Sequence, residues 1–389
     1  MTQTAKTIGI VAGEASGDLL GSQLMEALKR ELPGVRFVGI GGPKMKQAGM
    51  QILFPMEKLA VRGYVEVLRH LLEIIGIRRK LRAYFLASPP DLFIGVDAPD
   101  FNLGLELTLK SLGIPTIHYA SPSIWAWRGE RIHKIKRAVS HMLTLFPFEA
   151  VIYEKAGIPV TYVGHPLADM LPQIPNRTAM REQMRLPQQH PIFAFLPGSR
   201  QSEVRSLAVV FIETAKLILQ KLPNALFLVP LASRETRTIF EEALYKCEAH
   251  DVPITLLFGH AHEAMIAADG VLVASGTATL EAALIKRPMV ITYKMPALSW
   301  WLMKRKQYQP YVGLPNILAG KFVVPELLQD EATPQNLAQA LLNLVSDKQA
   351  VAELESLFGK IHVSLKQNAA HTAARAILPY LGKGKAAEK

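Results

Sequence analysis

One cysteine, Cys247, stands in a chain of 389 residues. That excludes an intrachain disulfide framework and fits a reducing compartment, with the thiol read as buried or idle. No stretch of about 18 apolar residues runs without a charge, so no segment reads as a transmembrane helix. Up to Lys6 the chain is polar, and the apolar run Ile8–Ala12 is strand-length, far short of a targeting signal. The expectation is a cytosolic protein that can still attach to a membrane surface. Acids are scarce beside bases, 33 against 44, and the net charge of +11 calls for an anionic partner. Nucleic acid is set aside as that partner, because the basic residues lie beside Leu, Ile and Trp and no recognised nucleic-acid module is present. Also missing is the G-x-G-x-x-G dinucleotide fingerprint, since Gly13, Gly17 and Gly21 recur every four residues.

What is present is a globular composition, 49% hydrophobic and 20% charged, in a chain of a length that suits two α/β domains. The stretch GVLVASGTATLEAALIK, from Gly270 to Lys286, organises the reading. Val271–Ala274 has the length and branching of a buried strand. It breaks at Ser275-Gly276-Thr277 and becomes helical, with Leu280, Ala283 and Leu284 on one face. Such a turn, through Ala278, aims unpaired N–H groups and a helix dipole at one point, a seat for phosphate. Glu281, about one turn in, is placed to accept hydrogen bonds from two ribose hydroxyls. A matching turn lies upstream, where the strand Ile192–Leu196 runs into Pro197-Gly198-Ser199-Arg200. Arg200 offers fixed, forked donors suited to a pyrophosphate.

The first half of the chain has its own series of strands. Thr7–Ala12 ends at Gly13-Glu14-Ala15-Ser16-Gly17-Asp18. Asp18 or Ser16 reads as a helix cap, whereas Glu14, an acid on a strand-end loop, reads as functional. Leu92–Val96 ends at Asp97-Ala98-Pro99-Asp100. Ligands in open α/β sheets bind beyond the carboxyl ends of strands, so Asp97 is aimed at the crevice. The D-x-x-D spacing tempts a metal reading, but Pro99 favours one inward and one capping carboxylate, and no metal is expected. Trp125 and Trp127, on the loop after Thr116–Ala120, can stack on a ligand or plug the domain; the plug is preferred.

Proline-rich residues 172–191 read as a linker. The predicted organisation is a first Rossmann-like domain over 1–172, a second over 173–350, and C-terminal helices over 351–389 that can pack back on the first. Two doubly wound Rossmann-type domains facing a cleft describe the α/β GT-B architecture, an analogy reached from topology. Two segments mix apolar and basic residues. Between 61 and 82, Val65, Leu68, Leu71 and Leu72 lie among arginines, and at 299–306 Trp300 and Trp301 precede Lys304-Arg305-Lys306. Both suit an anionic membrane interface, with a core helix as the alternative for the first.

Taken together, VAGEASGD at 11–18, GVDAPDFN at 95–102, SPSIWAWR at 121–128, LPGSR at 196–200, ASGTATLEA at 274–282 and LPNILAG at 314–320 resemble the lipid-A-disaccharide synthase family. The blocks are co-linear and the similarity runs from about residue 7 to about 375. The resemblance implies an inverting glycosyltransferase that joins UDP-2,3-diacylglucosamine to 2,3-diacylglucosamine 1-phosphate, makes a β-1′,6-linked disaccharide 1-phosphate and releases UDP. It implies no required metal or other cofactor. It makes Asp97 and Arg200 positions on which activity depends, with Glu14 in the first signature. It places UDP at Arg200, Ser275, Gly276, Thr277, Ala278, Glu281 and Asn316. Acylated substrates give the two apolar-basic segments a purpose, at the inner face of the inner membrane. A UDP-sugar epimerase on the same fold is the alternative enzyme. The sequence leaves oligomeric state open, a homodimer included, and does not decide whether Asp97 or Glu14 is the base.

Overall fold

The computed structural model describes residues 5–59, 64–306 and 308–382. The chain divides into two units, one formed by Met1–Asp169 with Leu365–Lys389 and the other by Met170–Ser364.

In the first unit, β1 (Thr7–Ala12), β2 (Arg36–Gly41), β3 (Gln51–Pro55), β4 (Leu92–Val96), β5 (Thr116–Tyr119), β6 (His141–Thr144) and β7 (Val160–Tyr162) make one sheet. Its order is β3-β2-β1-β4-β5-β6-β7, and every pairing is parallel. A parallel sheet is covered on both faces, which is why β1 and β4 read as near-continuous apolar runs. Side chains alternate along β1. Ile8 and Ile10 pack in one cluster with Leu24, Leu28 and, from the helix Ala369–Gly382, Ala373 and Ile377. Val11 joins the opposite cluster, with Val38, Leu81, Phe85 and Phe93. The last helix is tied to this unit by Asp169, whose carboxylate accepts the N–H groups of Asn368 and Ala369 at 2.9 and 2.7 Å.

The helix Tyr64–Ala87 carries the first apolar-basic segment. Its later turns are core: Ile77, Leu81 and Phe85 are buried, and Phe85 meets Phe93 edge-on at 5.7 Å. Leu72, by contrast, is 81% exposed. Val65, Leu68 and Leu71 lie outside the described side chains.

In the second unit, β8 (Ile192–Leu196), β9 (Leu226–Leu231), β10 (Ile254–Phe258), β11 (Gly270–Ala274), β12 (Met289–Tyr293) and β13 (Glu326–Leu328) form a second all-parallel sheet. Its order is β10-β9-β8-β11-β12-β13. Phe195, Phe211, Phe227 and Leu272 fill its core with Leu337 and Leu341 from the helix Pro334–Ser346. In both sheets the order runs outward one way from the first strand and then the other way from the fourth. Each sheet therefore has a point where the connections reverse: between β1 and β4, and between β8 and β11.

Candidate active site

At the first reversal point the turns after β1 and β4 come together. A Cβ built on Gly13 would stand 2.9 Å from Ala98 Cβ, so the Glu14 turn and the Asp97 turn touch. Glu14 occupies the N-cap position of the helix Ala15–Glu31 with extended backbone and makes no side-chain capping bond. The cap expected of Asp18 or Ser16 is absent too. Asp18 is buried and reaches across to the next strand's turn, accepting N–H bonds from Gly42, Lys44 and Met45 at 2.9, 2.9 and 3.0 Å. Its carboxylate thus caps the short helix Pro43–Gln47, a partner the local sequence does not reveal.

Asp97 and Ala98 are both left-handed, at φ 51° and 45°, a conformation non-glycine residues seldom take and one that concentrates at functional sites. Several bonds hold them there. The Asp97 N–H donates to the Tyr119 carbonyl at 2.8 Å. The Asn102 amide donates to the Asp97 carbonyl at 2.7 Å and to that of Val11 at 3.4 Å, bracing both strand ends. One helical turn on, Glu106 Oε1 meets His118 Nδ1 at 2.7 Å, with both side chains fully buried. Burial raises the Glu106 pKa. Desolvation opposes a charged His118, yet Glu106 and the more distant Asp97 charge outweigh it and raise the histidine's pKa. Asp100 corrects the capping expectation: it pairs with Arg131 at 2.7 Å. Among the described residues, no group of three His, Cys, Asp or Glu side chains is placed to hold a metal ion.

A cavity of about 210 Å³ opens here, lined by Asp97, Asp100, Ser121, Trp127, Arg128 and Arg131 among others. The two tryptophans take different roles. Trp125 is the plug, meeting Phe148 edge-on at 5.3 Å and donating its indole N–H to Glu149 at 3.1 Å. Trp127 faces the cavity.

At the second reversal point the turns after β8 and β11 stand side by side. Arg200 is the N-cap residue of the helix Gln201–Lys221, and half of its side chain is exposed. Glu203 receives the N–H groups of Ser199 and Arg200 at 3.1 and 3.2 Å and ion-pairs Arg200 at 3.1 Å. The guanidinium is therefore aimed by Glu203, an anchor the sequence reading passed over. Gly276, N-cap of the helix Thr277–Leu284, sits at φ 154°, where a side chain is strained although nothing lies within 4 Å of its would-be Cβ. Having no side chain and open space around it, Gly276 leaves its backbone approachable. Ser275 donates to the Val312 carbonyl at 3.2 Å.

Glu281 is held by His262 Nε2 at 2.9 Å, and that hydrogen bond raises the histidine's pKa. Asn316 is fully buried. Its amide donates to Val324 and Glu326, and its carbonyl oxygen accepts from Val323 and Val324. A direct contact from this side chain to a nucleotide would require one of those bonds to open. As it stands, Asn316 and Glu326 brace the turn at Val312 and Gly313. Trp300 and Trp301 lie on the helix Ala297–Lys306. Trp301 is 48% exposed, with the Arg305 guanidinium 3.7 Å over its ring. A larger hollow of about 650 Å³ in this unit involves neither turn. Its buried Arg181 is consumed by Ala267, Gln188 and Asp269.

Solved structures share the fold at low identity. Acinetobacter baumannii MurG aligns with a TM-score of 0.59 at 16% identity over 96% of this chain and 99% of its own. The calicheamicin glycosyltransferase CalG4 aligns at 0.61, 16%, 98% and 99%. The UDP-GlcNAc 2-epimerase of Neisseria meningitidis aligns at 0.64, 11%, 96% and 100%. These likenesses establish the GT-B fold and nothing narrower. Sequence goes further. The lipid-A-disaccharide synthase of Methylobacillus flagellatus is 62% identical over 96% of this chain and 99% of the relative. That of Dechloromonas aromatica is 61% identical over 97% and 99%. Against such identities the epimerase alternative rests on fold alone and is not favoured. The family model described as lipid-A-disaccharide synthetase matches residues 8–378, and the chain belongs to that family.

Proposed function

We propose that this chain is an inverting glycosyltransferase of lipid A assembly, transferring 2,3-diacylglucosamine from UDP to the 6-hydroxyl of 2,3-diacylglucosamine 1-phosphate. The observation that carries the mechanism is Asp97, strained at the first sheet's reversal point on the wall of a polar cavity. On this reading the first unit takes the acceptor and the second takes the UDP-sugar. Asp97 removes the proton from the acceptor hydroxyl as it attacks the donor's anomeric carbon. Glu14, on the touching turn, is the other candidate for that role. As the glycosidic bond breaks, negative charge grows on UDP. Arg200, held by Glu203, and the helix start at Ser275, Gly276, Thr277 and Ala278 offset that charge without a metal. Glu281 accepts the ribose hydroxyls alongside His262, while Asn316 shapes the turn beneath the nucleotide.

The substrates' acyl chains stay in an anionic bilayer, the inner face of the inner membrane, and the exposed Leu72 and Trp301 meet it. UDP release from an acylated UDP-glucosamine tests the reading. It should require 2,3-diacylglucosamine 1-phosphate and proceed unchanged in EDTA. Conversion of the UDP-sugar alone, or a strict demand for Mg²⁺, would overturn it.

A further inference from the structure

The cavity at Asp97 holds two acids and two bases, Asp97, Asp100, Arg128 and Arg131. One pair cancels, because Arg131 and Asp100 are bound to each other at 2.7 Å. That leaves the Asp97 carboxylate and the Arg128 guanidinium lining the same cavity. Arg128 lies 4.1 Å over the Trp127 ring, and no carboxylate among the described residues pairs with it. Its backbone is strained, at φ 56°. Asp97, Ala98 and Ala120, the residues flanking the same cavity, are left-handed as well. A surface arginine needs none of this: the fold accepts an uncommon backbone to present one guanidinium, pre-oriented on an indole face, in the cavity that the proposed base also lines.

We infer that Arg128, backed by Trp127, is the acceptor's anion-recognition residue and binds a phosphate monoester on the acceptor sugar. The inference rests on the function proposed above and adds a subsite to it. A phosphate monoester is close to a dianion at neutral pH, and a forked guanidinium matches two of its oxygens. Charge then sets the direction of binding. Arg128 attracts the phosphate and Asp97 repels it, so the sugar enters with its phosphate toward Arg128 and its hydroxyl toward Asp97.

Arg128→Asn is the informative variant, because Asn tolerates left-handed backbone and the change removes charge without adding strain. The KM for the phosphorylated acceptor should rise roughly ten- to hundredfold, the scale of a lost charge-assisted hydrogen bond. The donor KM and UDP affinity should stay within about twofold, and Arg128→Lys should recover part of the loss. An acceptor lacking the phosphate should be used equally poorly by both proteins. A parallel rise in KM for acceptors with and without phosphate would overturn the inference in favour of packing. A rise in the donor's KM alone would reassign Arg128 to the nucleotide. Should the wild type release no UDP with any acceptor, the function proposed above is what fails. Binding of glucosamine 1-phosphate, followed by titration, still reads the subsite: it should be lost in Arg128→Asn, and glucosamine should not bind either protein. Equal binding of glucosamine 1-phosphate to both proteins would end the idea.

Discussion

Because Asp97 sits in left-handed backbone that asparagine also tolerates, Asp97→Asn removes the charge and leaves the turn intact. Turnover should fall by roughly two to four orders of magnitude, the range for a general base, with the thermal melt and UDP affinity unchanged. Near-normal turnover would pass the role to Glu14. Elsewhere in the first unit, Glu149 and His165 make opposed contributions to stability. Burial pushes Glu149 from 4.5 up to about 7, despite bonds from the Phe146 and Leu145 N–H groups and Trp125. The folded protein holds that proton more tightly than the unfolded chain, so this contribution is lost as pH rises from 4.5 to about 7. Burial pulls His165 from 6.5 down to about 4, so its contribution is lost as pH falls through that window. The two nearly cancel where the windows overlap. Glu149→Gln leaves His165 unopposed, and urea melts should then show stability rising with pH between about 4 and 6.5 more steeply than in the parent. An unchanged slope would mean that Glu149 ionises freely in the fold.

At the scale of elements, the turns are built by carboxylates that reach beyond their own segments. Asp18→Ala strips the acceptor from three backbone N–H groups at Gly42, Lys44 and Met45. It should cost about 3 kcal/mol in urea unfolding of the first unit while leaving UDP binding alone. A loss no larger than an exposed substitution gives would show that the turn is held by other means. In the second unit, Arg200→Ala should weaken UDP binding and slow turnover together, because one guanidinium serves ground state and transition state. Titration calorimetry with an unchanged dissociation constant would remove Arg200 from the nucleotide site. These turns also mark how far the sequence could be read. Central strands such as Leu92–Val96 and Ile192–Leu196 announce themselves as apolar runs because both their faces are covered. The edge strands Gln51–Pro55 and Glu326–Leu328 escaped notice, being short and only partly buried. The placement of Asp97, Glu14 and Arg200 could be anticipated, because each lies in the turn that follows a buried strand. Glu203 was within reach, three residues from Arg200, but His262 lies 19 residues from Glu281 and Asp18 lies 24 from Gly42. Such pairings depend on strand order, which no local pattern carries.

For the whole molecule the question is how this fold reaches acylated substrates. No helix among the described residues is long and apolar enough to cross a membrane. The chain nevertheless carries a net charge of +11. It also leaves large side chains in water: Leu72 is 81% exposed, Tyr308 and Phe322 are each 60% exposed, and Trp301 lies beneath Arg305. An aromatic ring under a guanidinium suits the boundary between headgroups and acyl chains, where one end is apolar and the other wet. Ile77, Leu81 and Phe85 fix the other end of the Leu72 helix in the core, so its exposed part is presented on a rigid base. Leu72→Ser with Trp301→Ser removes side chains worth about 1.5–3 kcal/mol each if fully buried in lipid, and less for partial insertion. Neither residue is packed in the core, so the melting temperature should hold while co-sedimentation with anionic vesicles falls. Raising the salt should weaken the parent's binding further, since the basic residues act through a screened potential. A variant that keeps its melt and still sediments with vesicles would show that neither Leu72 nor Trp301 contributes to vesicle binding. One that unfolds would assign these side chains to packing.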